Sequence, residues 1–275
     1  TMNLACMGNI NEDEKNIKNA VGAILDKIMC TRDLAVNITD IRAADDYTFG
    51  HSVSVCTLSI ILGISMGLNG IELRDLGIGA LLHDIGKIRT PPHILKKPGK
   101  LTEDEAEIIK KHTTDGFEIL RKCDSLNRNS VYVALGHHER YDGSGYPQGI
   151  KINGMNVFTR IVSIVDVFDA MCADRVYRKG LEVSRVLRYL NIMSNRLFDG
   201  EIVGKLAQKV LLYPNGTGVY LNTGETGIVV ESNLRTPHKP VVRICYAPDG
   251  KQYDTFTEVN LEKNPDYYII RQCEL

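Results

Sequence analysis

Apolar residues recur at helical spacing through the chain as far as about residue 212. ILDKIM (24–29) belongs to one amphipathic helix and DLAVNITDI (33–41) to a second, and buried helices are predicted at 53–68 and 73–86. Thr102 and Glu105 have the spacing of a capping box, which predicts a charged helix over 103–122. Three later helices are predicted: SVYVALGHH (130–138), VFTRIVSIVDVFDAMCA (157–173) and VSRVLRYLNIM (183–193).

The pattern changes after Pro214, where short alternating runs indicate β-strands. GVYLNTGETGIVVE (218–231) turns at Thr223-Gly224, and Pro248-Asp249-Gly250 separates the runs VVRICYA and YDTFTEV as a hairpin turn. The sequence therefore predicts a mainly α protein. We expect an N-terminal helix or linker over 1–30, a helical domain over 31–212, and a small β-barrel or β-sandwich module over 213–275.

Composition excludes several classes of protein. Apolar residues make up 43% of the 275 residues, charged residues make up 24%, and the net charge is −1, so no basic field attracts a nucleic-acid polymer. The seven cysteines are scattered and none form C-x-x-C, which indicates reduced thiols and a cytoplasmic protein. The most apolar run, 53–68, is too short to span a membrane and predicts a buried helix.

Histidines and carboxylates recur on several of the predicted helices. His51 is predicted to begin a helix, and His83 is followed directly by Asp84. His112 lies on the lysine-rich helix, and the adjacent His137 and His138 precede a glycine-rich turn. Asp166 lies inside the apolar run IVSIVDVFDAM.

Each of these residues has an ordinary explanation when taken alone. His51 could be a satisfied buried histidine, His112 a solvated surface residue, and His83-Asp84 a hydrogen-bonded pair near a helix end. Asp166 is harder to explain, because a carboxylate among apolar neighbours is costly to bury without a cation.

Taken together, the residues indicate a metal site inside a helical domain. Nitrogen and oxygen ligands without cysteine suit iron, manganese or a similar divalent ion. Five histidines and two aspartates exceed what one ion needs, and they suit two ions bridged by a carboxylate, for which Asp84 is the natural candidate. Such pairs of ions hydrolyse phosphate esters.

Four segments carry a resemblance to a known family. LLHDIGK has the HD signature of metal-dependent phosphohydrolases, and HHERYDGSGYP is similar to the HHExxDGxGYP element of the HD-GYP subfamily. DVFDAMCADRVYR resembles its downstream segment and YTFGHS its first histidine motif. The resemblance covers roughly residues 40 to 200. The segment GTGVYLNTGETGIVVE resembles the small barrel appended to some HD-GYP proteins, for which we expect a packing or dimerisation role.

The resemblance implies an HD-type helical bundle that hydrolyses cyclic di-GMP to pGpG or GMP with a water bridging two metal ions. The implied metal ligands are His51, His83, Asp84, His112, His137, His138 and Asp166. Some members hold a third metal with a Glu four residues before the first histidine. Tyr47 stands there in this chain, which favours two ions, iron or manganese being the first candidates.

The resemblance also implies substrate contacts. Asp84 and Lys87 are the expected catalytic groups, and Lys87, four residues after His83, is expected on the same helical face within reach of the scissile phosphate. Arg175 and Arg178 are expected to bind substrate phosphates.

Gly145 and Tyr146 are expected to form a lip over the substrate. Tyr146 is expected to stack on a guanine or to contact a phosphate, with ordinary packing as its alternative. Glu139 and Asp142 are expected to support the turn.

Two other functions stay open at this point. One is a catalytically silent HD-GYP module that binds the nucleotide and signals through protein contacts. The other is a nucleotide phosphohydrolase of the wider HD superfamily, against which the GYP element argues. The amphipathic first helix suggests a homodimer, and we expect an N-terminal sensor or signalling partner that this sequence does not contain.

Overall fold

The computed structural model describes residues 10–30, 47–174, 179–233 and 236–274, with the backbone alone for 10–13 and 47–49. These residues form two compact units, one ending at Ala207 and the other beginning at Gln208. The helix predicted at 33–41 lies outside the described residues. The division of the chain at 30 and 212 stays a prediction.

The first unit is built from helices joined by turns and loops, and its last helix extends two residues beyond Ala207. Its α-helices are α1 (Ile10–Met29), α2 (Tyr47–Ser65), α3 (Gly70–Leu81), α4 (Pro92–Leu95), α5 (Glu103–Lys110), α6 (His112–Leu120), α7 (Arg128–Gly136), α8 (Val157–Cys172), α9 (Val183–Ile192) and α10 (Gly200–Lys209). Short 3-10 turns occupy Ile85–Arg89 and Ile152–Gly154.

Helix α8 lies at the centre of this unit and packs against α2, α7 and α9. Its Ile161, Ile164 and Phe168 are fully buried, and Leu58 and Leu62 of α2 are buried beside them in the same unit. The prediction that 53–68 forms a buried helix is thus confirmed for α2. Within the described ranges, no helix is both long enough and apolar enough to serve as a membrane span.

Side-chain caps fix several helix starts. The predicted capping box is confirmed: the Thr102 hydroxyl accepts from the Glu105 amide at 3.2 Å, and the Glu105 carboxylate accepts from the Thr102 amide at 2.8 Å. Asn69 and Glu72 form a second box at the start of α3. These caps satisfy amides that the first helical turn leaves without partners.

Several predicted helix boundaries are wrong. The single helix predicted over 103–122 is interrupted at Lys111 and forms α5 and α6. The helix predicted over 73–86 ends at Leu81, and Lys87 lies in the following 3-10 turn, so it does not share a helical face with His83. In this turn the backbone of Gly86 approaches the backbone of α6 closely. A Cβ on Gly86 would lie 1.9 Å from the His112 carbonyl oxygen, so the approach requires glycine. His51 does not begin its helix but follows one turn after Tyr47.

The second unit is a small β module. Its strands are β1 (Gly218–Leu221), β2 (Thr226–Glu231), β3 (Val241–Tyr246), β4 (Gln252–Asn260) and β5 (Ile269–Gln272). They form an antiparallel sheet in the order β4-β3-β2-β1-β5. Among the described strands this sheet is open, with β4 and β5 at its edges.

The two predicted hairpin turns join neighbouring strands. Gly224 and Gly250 have φ angles of +86° and +82°, a backbone region that glycine adopts without a steric penalty. One face of the sheet is apolar, and its buried residues are Val219, Leu221, Val229, Val242, Ile244, Val259 and Leu261. The prediction of a mainly α protein with a small C-terminal β module is confirmed.

Candidate metal centre

All the side chains predicted to bind metal lie together in the helical unit. His51 comes from α2, His83 and Asp84 from the turn after α3, His112 from the first residue of α6, His137 and His138 from the end of α7, and Asp166 from the middle of α8. Most of them are buried, with His83 and His137 fully inaccessible and His112 1% exposed. Burial rules out the alternative of a solvated His112.

The ligand atoms form two groups. His51, His83 and Asp84 each offer one atom within 4.8 Å of the others, and so do His112, His137 and His138. The grouping follows chain order: the first group comes from α2 and the turn after α3, and the second from α6 and the end of α7.

Asp84 belongs to the first group and also faces the second. Its Oδ2 is 3.3 Å from His83 Nε2, and its Oδ1 is 3.4 Å from His112 Nε2 and 3.8 Å from His137 Nε2. Each carboxylate oxygen therefore faces a different group, which is the geometry that a bridging ligand requires.

Asp166 also reaches both groups. Its Oδ1 lies 3.2 Å from His51 Nε2 and 3.9 Å from His83 Nε2, and its Oδ2 lies 3.9 Å from His138 Nδ1. The carboxylate in the apolar run thus meets imidazoles, which explains how α8 tolerates it.

Three of the imidazoles are oriented by backbone carbonyls. Their Nδ1 atoms lie within hydrogen-bond distance of carbonyl oxygens three or four residues earlier: His83 with Ala80 at 2.7 Å, His112 with Ile109 at 2.6 Å, and His137 with Val133 and Ala134 at 3.1 Å. A donated Nδ1–H fixes the tautomer and leaves Nε2 as the free ligand atom.

His51 is oriented by a carboxylate instead. Its Nδ1 lies 2.7 Å from Oδ2 of Asp169, which is 2% exposed. Sequence reasoning did not single out Asp169. The available signal was a second carboxylate in the apolar run of α8, one helical turn after Asp166.

Burial and neighbouring charges shift the pKa values of the cluster. Burial is the main cause of a lowered pKa for His112 and His137, and it lowers the pKa of His138 to about 3. These imidazoles are neutral over a wide pH range, as metal ligands must be. For His51, burial acts against protonation, but hydrogen bonds to Asp166 and Asp169 raise the pKa to about 9.

The carboxylates are held ionised. Burial would raise the pKa of Asp84, but the charges of His83 and Lys87 outweigh it, so that the pKa lies well below its usual range. The pKa of Asp166 is lowered against burial by the hydrogen bond from His51 and by the charges of nearby histidines.

The cluster fits divalent metal binding. His83 Nε2 and Asp84 Oδ1 are buried and have no hydrogen-bond partner among the described residues, which also argues against a simple His83-Asp84 hydrogen bond. Imidazole and carboxylate donors without thiolate are the set that iron and manganese accept. A bound cation would satisfy both of these buried atoms.

The glycine-rich turn after His138 packs closely on the cluster. The buried Glu139 carboxylate accepts from the amides of Gln148 at 2.7 Å and Ile150 at 3.2 Å, and Asp142 accepts from the Ser144 amide at 2.9 Å. A Cβ on Gly145 would lie 2.4 Å from the His138 carbonyl oxygen, so only glycine allows this approach.

Tyr146 lies over one edge of the cluster. Its ring stacks on His138 with centroids 4.8 Å apart and planes at 28°, and the ammonium of Lys110 lies 5.5 Å from its centroid. Burial raises the pKa of its hydroxyl, which therefore remains a hydrogen-bond donor. One side of its ring packs on His138, and the contact of Tyr146 with substrate stays a prediction.

Lys87 reaches the cluster by a different route from the one predicted. From the 3-10 turn, its ammonium donates to Asp84 Oδ2 at 2.5 Å. The predicted phosphate-binding Arg175 and Arg178 lie outside the described residues.

Comparison with known proteins agrees with this geometry. The sequence profile of the HD domain matches residues 41–202, which hold every residue of the cluster. The chain belongs to the HD domain family. A second profile, a KOW domain associated with the HD domain, matches residues 218–275 and so covers the β module.

Curated relatives of this HD domain protein carry phosphodiesterase names. A cyclic di-GMP phosphodiesterase of Pseudomonas aeruginosa is 33% identical over 87% of this chain and 58% of its own length. A cyclic di-GMP phosphodiesterase of Thermotoga maritima is 40% identical over 58% of this chain and 44% of its own length. A 3'3'-cGAMP-specific phosphodiesterase of Vibrio cholerae is 37% identical over 65% of this chain and 40% of its own length. The chain thus spans about half the length of these relatives.

A solved structure shares the fold. An HDG"Y"P protein from Bdellovibrio bacteriovorus superposes with a TM-score of 0.60 at 22% identity, covering 71% of this chain and 62% of that one. The HD domain match and the cyclic di-GMP phosphodiesterase relatives, together with this shared fold, confirm the resemblance to HD-GYP proteins.

Proposed function

We propose that this chain is a metal-dependent phosphodiesterase that hydrolyses a cyclic dinucleotide, with cyclic di-GMP as its first candidate substrate. One observation carries the proposal: histidines and aspartates from five segments turn their ligand atoms toward each other around Asp84, whose buried Oδ1 has no hydrogen-bond partner among the described residues. The names of the relatives support the substrate class, and their mixture of cyclic di-GMP and 3'3'-cGAMP enzymes makes both compounds candidates.

The proposed site holds two divalent ions, iron or manganese. His51, His83 and Asp84 would bind one ion, His112, His137 and His138 the other, and both Asp84 and Asp166 face the two groups. When bound, such ions polarise a phosphate oxygen and lower the pKa of a water ligand toward neutrality.

The protein's own groups are proposed to position the substrate. Lys87, held by Asp84 at 2.5 Å, would donate a hydrogen bond from Nζ to the reacting phosphate and offset its charge. Tyr146, with one side of its ring packed on His138, would present its hydroxyl or the rest of its ring. Arg175 and Arg178 remain proposed phosphate contacts on the strength of their motif, as Gly145 remains part of the proposed lip.

Turnover and metal content test the proposal. Protein purified anaerobically and loaded with Fe²⁺ or Mn²⁺ is incubated with cyclic di-GMP or 3'3'-cGAMP, and the products are separated by ion-exchange chromatography. We expect linear or mononucleotide products and a metal content near two ions per chain. Asp84→Ala should lose both, whereas Lys87→Met should keep its metal and lose mainly kcat.

The alternative functions predict other results. Tight binding of a cyclic dinucleotide without hydrolysis by the metal-loaded protein would identify a silent binding module. Hydrolysis of mononucleotides alone would identify a phosphohydrolase of the wider superfamily. Homodimerisation, a role for the β module and control by an N-terminal partner stay predictions.

A further inference from the structure

Arg140 follows the histidine pair by two residues, and its guanidinium contacts the backbone of that segment. Its Nη1 donates to the carbonyl oxygens of Glu139 at 3.0 Å and His137 at 3.4 Å, and its guanidinium carbon lies 5.4 Å from the centroid of Phe198. The residue is half-buried. One nitrogen and the aromatic contact are therefore enough to hold the planar group in place.

The segment that carries Phe198, the aromatic contact of Arg140, is also anchored. The Tyr141 amide donates to the Leu197 carbonyl at 2.9 Å, which ties the turn to the segment that carries Phe198. The guanidinium is thus preorganised rather than mobile, which lowers the entropy lost on binding a ligand.

Arg140 lies next to the segment that supplies two of the proposed ligands. Its Nη1 contacts the carbonyl oxygen of His137, and the imidazoles of His137 and His138 both belong to one ligand group. Its other acceptor is the carbonyl oxygen of Glu139, the residue directly after the pair. The guanidinium is therefore held against the backbone that carries these ligands.

The neighbouring cations have carboxylate partners, but Arg140 has none among the described residues. Lys87 bonds to Asp84, and Lys110 bonds to Glu107 at 2.6 Å. The Nε and Nη2 of Arg140 donate to no described residue. A half-buried guanidinium with two nitrogens that contact no described acceptor is suited to bind an anionic group.

We propose that Arg140 binds the phosphodiester group of the cyclic dinucleotide that is not being hydrolysed. This inference rests on the proposed function. A cyclic dinucleotide carries two phosphodiester groups, and the metal cluster and Lys87 serve the reacting one. The free edge of a guanidinium can fork onto two oxygens of the other phosphate, which a lysine cannot do.

Two substrates separate this role from a structural one. KM is measured for cyclic di-GMP and for bis(p-nitrophenyl) phosphate, which has a single phosphodiester group, with Arg140→Met and Arg140→Lys. We expect Arg140→Met to raise KM for cyclic di-GMP by roughly 10- to 100-fold. The rise should be at least about tenfold greater than that for the small substrate, because only the cyclic compound offers a second phosphate. Arg140→Lys should fall between Arg140→Met and the wild type.

Arg160→Met is the matched control. Arg160 is a half-buried arginine of the same unit, but its guanidinium pairs with Asp199 at 2.7 Å. This variant should leave the ratio of the two KM values at the wild-type value. Metal content and thermal unfolding are measured for each variant to show that it folds.

A binding measurement separates this inference from the proposed function. Calorimetry with metal-free protein and cyclic di-GMP should show weaker binding for Arg140→Met even if the wild type proves unable to hydrolyse the compound. An equal KM rise for both substrates, or an unchanged affinity for cyclic di-GMP in a folded Arg140→Met protein, would overturn the assignment. Absence of both binding and turnover in the wild type would overturn both proposals.

Discussion

Asp84 connects the two ligand groups, because each of its carboxylate oxygens faces a different set of imidazoles. The ammonium of Lys87 also donates a hydrogen bond to Asp84 Oδ2, at 2.5 Å. The same side chain therefore links the proposed metal ligands to the cation that is proposed to contact substrate. Replacement of Asp84 would therefore disturb both the proposed metal binding and the position of Lys87.

Asp169 tests how far orientation of a ligand matters. It is the carboxylate that holds His51 Nδ1 at 2.7 Å, where the other oriented imidazoles use backbone carbonyls. Asp169→Ala should weaken Mn²⁺ affinity by about 10- to 100-fold, because the ring loses its fixed tautomer and direction. Competition with a chelator of known affinity measures this change.

The exposed Asp104 of α5 provides the control. Asp104→Asn should bind Mn²⁺ as tightly as the wild type does. The Mn²⁺ affinity of Asp169→Asn should lie between those of Asp104→Asn and Asp169→Ala. Unchanged affinity in a folded Asp169→Ala protein would show that packing alone orients His51.

Glu139 tests the support of the glycine-rich turn. Its buried carboxylate accepts from two backbone amides, of Gln148 and Ile150. Glu139→Ala should lower the free energy of unfolding by about 2 kcal/mol, because both amides lose their acceptor. Glu139→Gln retains one oxygen and should lose less. Urea denaturation measures both, and equal stability of Glu139→Ala and the wild type would contradict this role.

The residues of the cluster were predictable because histidines and aspartates can be recognised in the sequence by their type and by the motifs that contain them. Asp169 and Arg140 were not predicted, because their importance depends on distances across the fold: Asp169 meets a ring of α2, and Arg140 meets Phe198. Lys87 was predicted to reach the site from the same helical face as His83. That placement was wrong, because helical spacing does not reveal where a helix ends.

At the scale of elements, a close backbone contact holds the 3-10 turn after α3 against α6. Gly86 lies so close to α6 that its substitution requires one segment to move. His83 and Asp84 precede it and His112 begins α6, so this contact sets the spacing between ligands from both segments.

Gly86→Ala should therefore disturb both folding and metal binding. We expect a loss of about 2–3 kcal/mol in the free energy of unfolding, as for overpacking of a close contact, together with reduced metal content. Gly22 in the interior of α1 is the matched control, because a Cβ there meets nothing within 4 Å. Gly22→Ala should gain about 0.5–1 kcal/mol. Normal metal content in Gly86→Ala would show that the segments can shift without harm.

Long apolar runs and turn motifs were predicted, but one amphipathic helix and one short strand were missed. The buried helices α2 and α8 and the hairpins of the β module belong to the first kind. Helix α10 was missed although Ile202, Val203 and Leu206 bury one of its faces at helical spacing. The strand β5 is short and largely exposed, so it has little local signal. The position of β5 beside β1 comes from pairing between distant segments, which periodicity does not report.

At the scale of the whole molecule, the cluster lies within the helical unit, which is a compact unit separate from the β module. A metal that binds only the folded state stabilises it in proportion to the logarithm of its concentration. At one hundred times its Kd, the gain is about 2.7 kcal/mol.

Hydrogen exchange can locate this stabilisation. Adding Mn²⁺ to chelator-treated protein should slow amide exchange in peptides covering 80–90, 109–117, 133–140 and 163–172. Peptides from 218–272 should not respond, because the metal-ligand groups that the described residues form lie in the helical unit. Asp84→Ala should show no metal-dependent protection. Slowed exchange confined to the β module would place the ion elsewhere.

The edge strand β4 affects how the protein can be handled and redesigned. Its first seven residues are exposed, including Tyr253 and Phe256, and it pairs only with β3 among the described strands. Such an edge is a template for sheet growth from molecule to molecule, and charged residues such as Asp254 and Glu258 act as gatekeepers against it. Surface redesign should therefore retain these two acids, because their removal would favour fibre-like aggregation.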